Sequence, residues 1–98
     1  MDDIRHLKSI FLTAMIEKVH CSLVRYSAEV AGNALKTQIV ALEEATEAEL
    51  DDFRDISGYV LGDLSELTGE EELILVRSLS EVRNIPALGV KVFSRALD

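Results

Sequence analysis

Apolar side chains recur at spacings of three and four along most of this chain, and runs that alternate strictly between apolar and polar are short. The periodicity predicts a first helix from about Asp2 to Ala31, with Asp2 and Asp3 suited to its positive N-terminal end. At 100° per residue, Ile4, Leu7, Phe11, Ala14, Met15, Val19 and Leu23 fall near one side. Ile10, Leu12, Ile16 and Cys21 widen that side to an arc of roughly 240°, more than an ordinary surface helix presents.

At Gly32-Asn33 the apolar face changes phase, since Leu35, Ile39 and Leu42 lie almost opposite the stripe ending at Tyr26 and Val30. A helix stop is expected there, with a short second helix to about Glu44. Thr46 and Glu49 have the spacing of a capping box, which marks a new start. Leu50, Phe53, Ile56, Val60, Leu61, Leu64 and Leu67 then share an arc of roughly 140°. Gly58, Gly62 and Ser65 form a small-residue flank. Thr68 and Glu71 repeat the capping-box spacing ahead of a helix ending at Asn84-Ile85-Pro86, and a last helix runs from about Pro86 to Leu97. The expected fold is all-α: one domain over residues 1–98, a small bundle of four to five helices completed by homodimerisation. The broad first helix would supply the dimer seam through Ile4, Leu7, Phe11, Leu12, Met15, Ile16, Val19 and Leu23.

Charge changes this picture more than composition does. The net charge is −8 over 98 residues, and residues 43–72 alone hold twelve acids against Arg54. Such a band repels nucleic acid and favours a basic partner. In the third predicted helix, Asp51, Asp52, Asp55, Asp63 and Glu66 oppose the apolar arc, with Tyr59 among them as an aromatic anchor. The single cysteine, Cys21, forms no internal disulfide and points to a reducing compartment. The acidic start Met1-Asp2-Asp3 is unlike a secretory leader, and no apolar run spans a membrane, so a cytoplasmic setting without membrane contact is expected.

Three short patterns carry other chemistry. Glu17 and His20 have the Glu-x-x-His spacing of di-iron helix bundles, but both fall on the polar strip of the first helix, away from a core that would hold metal. Asp51-Asp52-Phe53-Arg54-Asp55 resembles the aspartate-rich magnesium-binding motif of isoprenyl diphosphate synthases, a fold longer than this chain and one that needs a second such motif. A solvated acidic face accounts for the same residues. Ile85-Pro86-Ala87-Leu88-Gly89-Val90-Lys91 resembles the hairpin of helix-hairpin-helix DNA-binding proteins, with Ala87 in place of the first turn glycine and Phe93 in place of a small residue. That resemblance implies phosphate contacts from Gly89, Lys91 and Arg95. No nucleophile elbow, phosphate-binding glycine loop or zinc-spaced Cys/His set is present. The expectation is therefore a non-enzymatic, cofactor-free interaction module of regulator, adaptor, chaperone or inhibitor type that binds a basic protein. Nucleic-acid binding through the C-terminal segment is the alternative.

Overall fold

The computed structural model describes residues 3–15, 20–64 and 66–95. It is an α+β domain, so the all-α bundle expected from periodicity is corrected. In chain order come helix α1 (Asp3–Ala14), strands β1 (Leu23–Ala31) and β2 (Ala34–Leu42), helix α2 (Glu47–Asp63), strand β3 (Thr68–Val76), a 3₁₀ segment (Leu79–Asn84) and strand β4 (Val90–Ser94). The four strands form one sheet in the order β3-β2-β1-β4. β1 pairs antiparallel with β2 and with β4, whereas β2 and β3 are parallel, joined by α2 as a crossover.

Both helices lie on one face of the sheet. Phe11, Leu23, Tyr26, Leu35, Ile39, Phe53, Ile56 and Val60 are buried there in one cluster. Each such side chain contributes roughly 1.5–3 kcal/mol when withdrawn from water. The opposite face carries a smaller cluster of Val24, Val40, Val76 and Val82, covered by the 3₁₀ segment and Ile85. Below that cluster the cover is polar. Arg25, only 2% exposed, donates to Gln38 Oε1 at 2.7 Å and to the Ile85 carbonyl at 2.8 Å, and Gln38 Nε2 donates to the Pro86 carbonyl at 3.1 Å. Ser27 Oγ and Glu29 Oε1 accept from the backbone N–H groups of Leu88 and Gly89. Residues 85–89 are thus fastened across the sheet by side chains of β1 and β2.

This two-sided cover explains why strands read as helices. In β2, Leu35, Ile39 and Ala41 meet the helices while Val40 faces the second cluster, so the apolar pattern is near-continuous rather than alternating. In β1 a register shift between Leu23 and Arg25 breaks an alternation that would otherwise show. Gly32-Asn33, expected to break a helix, is the tight β1–β2 turn, and Gly32 has a φ of 63° that suits glycine there. The capping-box spacing at Thr68 and Glu71 is coincidental. Thr68 enters β3 with its N–H donated to the Asn33 carbonyl at 2.8 Å. The expected last helix contains β4 instead.

Candidate protein interface

Helix α2 begins where its capping box places it. Thr46 Oγ1 accepts from the Glu49 N–H at 3.2 Å, and Glu49 Oε1 accepts from the Thr46 N–H at 3.0 Å. The Thr46 N–H is the main reason the Glu49 carboxyl is held below its usual range, with Ser22 Oγ donating to it at 3.1 Å as a further cause. Leu50, Phe53, Ile56, Ser57 and Val60 face the core. That orientation turns Asp51, Asp55 and Tyr59, spaced four apart, to solvent, and Tyr59 is 53% exposed. Asp51 lies 3.3 Å from Arg54 Nη1.

The other acids of the expected face separate from this stripe. Asp52 turns toward the other flank, where its carboxylate is 2.7 Å from His20 Nε2, and the His20 ring packs 5.7 Å from that of Phe53. Asp63 is exposed at the end of α2, and Glu66 is exposed in the turn beyond it. Glu17 lies outside the described residues, and among those described no group of three or more metal-ligating side chains gathers.

The structure adds residues that helical periodicity misplaced. Glu70, Glu71 and Glu72 lie exposed on β3, at one edge of the sheet, Glu71 on the helix face beside α2 and Glu70 and Glu72 on the opposite face. Ser57 Oγ donates to Glu71 Oε1 at 2.8 Å, tying helix to strand. Between them runs a groove of about 220 Å³ whose lining includes Thr37, Arg54, Gly58, Leu61, Gly69 and Glu71. The Tyr26 hydroxyl is fully buried near Thr37 and Ser57 and makes no hydrogen bond of good geometry among the described residues. Burial first, and the Glu71 carboxylate second, push its pKa well above the usual tyrosine value. The acidic total of residues 43–72 already contained these three glutamates. Their gathering at an edge depends on β3 pairing in parallel with β2.

Gly89, Lys91 and Arg95 lie at the far side of the sheet, at and beside β4. The Gly89 N–H is donated to the Glu29 carboxylate at 3.0 Å, where the hairpin resemblance would put a phosphate. Arg95 donates to the carbonyls of Leu23 and His20 and stacks 5.3 Å above the Phe93 ring, while Lys91 is exposed. Of the residues expected at a dimer seam, Leu7, Phe11, Met15 and Leu23 are buried in the core of the single chain and Leu12 is half exposed. The Ile4, Ile16 and Val19 side chains lie outside the described set. Among the described residues no helix is long and apolar enough to cross a membrane.

The chain matches no model of a known protein family and no curated protein sequence.

Proposed function

We propose that this chain is a non-enzymatic interaction module that binds a basic protein segment through the acidic side built by α2 and β3. The observation that carries the reading is that Asp51 and Asp55 on α2, Glu71 on the helix face of β3, and Glu70 and Glu72 on its other face are all exposed. Arg54 and Lys36, the latter in register with Glu70, offset only part of that charge. A concentrated field of one sign speeds encounter with an oppositely charged partner and rejects like charge. The polar side chains near His20 favour structural work over catalysis: Ser22 donates to the helix-capping Glu49 and not to His20, and His20 meets Asp52. Nucleic-acid binding is the weaker reading, because the backbone N–H groups at Leu88 and Gly89 already have protein acceptors.

The test is fluorescence anisotropy with a labelled lysine-rich peptide, a labelled glutamate-rich peptide and a DNA duplex, over a range of salt. The lysine-rich peptide should bind, weaken as salt rises, and bind at least tenfold more weakly to the triple variant Asp51→Lys/Asp55→Lys/Glu70→Lys. Binding of DNA by the wild type, or lysine-peptide binding that ignores the charge reversal, contradicts the proposal.

A further inference from the structure

Among the described residues the acidic edge strand β3 has no neighbouring strand on one side, and its backbone determines which groups face outward. Thr68 donates its N–H to Asn33 on the β2 side, and the Val76 carbonyl accepts from Glu43 on that same side. Successive residues of a strand direct their N–H and C=O to opposite sides. Thr68, Glu70, Glu72, Ile74 and Val76 therefore bond inward, and Gly69, Glu71, Leu73 and Leu75 present N–H and C=O along the free edge. Just past this row the ladder is closed off, because the N–H groups of Arg77 and Ser78 both donate to the Glu81 carboxylate, at 2.6 and 3.0 Å.

Side chains on the strand split the same way. Glu70 and Glu72 lie on the face carrying residues 85–89, and Gln38, paired with Glu72 in register, bonds its carboxylate. Gly69, Glu71, Leu73 and Leu75 lie on the helix face, where Leu75 is 45% exposed. On that face the groove beneath α2 is flanked by Gly58, where an added methyl would meet nothing within 4 Å. Toward the start of β3 that face is already filled, because a Cβ on Gly69 would collide with the Leu61 side chain of α2, so the exposed apolar surface it offers a further strand is that of Leu75.

We infer that β3 takes an extended basic peptide as a fifth strand, its lysine or arginine side chains over Glu70 and Glu72 and its alternate apolar side chains beside Leu73 and Leu75. The inference rests on the acidic-side reading above and specifies how the partner is held. Main-chain bonds along a sheet edge supply affinity, and alternate side chains supply selectivity. Charge selects this occupant over a second copy of the chain. Full-length two-fold pairing of β3 with another β3 centres on Glu72 and sets Glu72 opposite its own copy with Glu70 on the diagonal, and like charges placed opposite one another destabilise a ladder. A one-residue slip of the peptide moves its basic side chains to the other face, so the alternation also holds the register.

The probe is a capped nine-residue peptide alternating lysine with valine, compared with two versions N-methylated either at the valines or at the lysines. The three share charge and side chains and differ only in which main-chain donors remain. Strand addition makes one methylated peptide at least tenfold weaker and spares the other. It also slows amide hydrogen exchange at Gly69, Glu71, Leu73 and Leu75 when the unmodified peptide is added. Equal binding of all three peptides, still abolished by the charge-reversed triple variant, overturns strand addition while leaving the acidic-side reading intact. No binding of the unmodified peptide at any salt overturns both. A doubled mass by light scattering, with those four amides protected before peptide is added, assigns the edge to a second copy and overturns the inference.

Discussion

Replacing Gly58 with alanine tests whether α2 is a helix whose solvent flank was left bare at a cost in stability. Gly58 lies well inside α2, has no positive φ, and a Cβ built on it meets no atom within 4 Å. Alanine therefore brings its helix propensity and its smaller unfolded-state entropy with no clash to offset them. The gain is about 0.8–1 kcal/mol, equivalent to a rise of roughly 4–8 °C in the melting temperature of a domain this size. Gly62 meets nothing either, but stands one residue from the end of α2, where fraying reduces the benefit, so Gly62→Ala should give a smaller increase. Urea unfolding followed by far-ultraviolet circular dichroism reads both changes, with the midpoint rising and the slope unchanged. A Gly58→Ala protein less stable than wild type refutes the reasoning, because it requires a side chain to meet something at that flank or the segment not to be helical.

Two further perturbations probe the interior and the start of α2. Tyr26→Phe removes a buried hydroxyl that has no well-formed hydrogen bond among the described residues while keeping the ring 5.5 Å from Phe11, and should stabilise by about 1 kcal/mol in urea unfolding at neutral pH. A loss of 1 kcal/mol or more would mean that the hydroxyl is bonded in solution. The same variant separates the alkaline behaviour. Burial raises the Tyr26 pKa above its ordinary value of 10.0, so the folded state keeps a proton that the unfolded chain releases. The resulting stability is complete below pH 10 and declines above it by up to about 1.4 kcal/mol per pH unit, a slope component that Tyr26→Phe should lack when midpoints at pH 8 and pH 11 are compared. Thr46→Ala deletes the acceptor for the Glu49 N–H and should cost about 1 kcal/mol by the same unfolding assay, whereas an unchanged midpoint would show that the cap contributes nothing.

Part of this architecture was legible along the chain because it depends on local chemistry. The Thr46–Glu49 capping box, the apolar stripe through Leu50, Phe53, Ile56 and Val60, and the outward set Asp51, Asp55 and Tyr59 all lie within one helix. Spacing alone determines what shares its face. The concentration of acids in residues 43–72 is likewise a property of the chain itself. What spacing did not reveal was set by contacts between distant segments. Leu35, Ile39 and Val40 belong to a strand because helices cover one side of the sheet and Val82 the other, and burial on both faces erases the period of two that identifies a half-buried strand. Glu70, Glu71 and Glu72 became an edge instead of a helical turn because β3 finds its partner in β2 across the α2 crossover. The sequence by itself determined the charge of the candidate interface and the helix that carries half of it. Only the tertiary structure decided that the other half is an open strand, since strand pairing is a choice among distant backbone groups that no local pattern encodes.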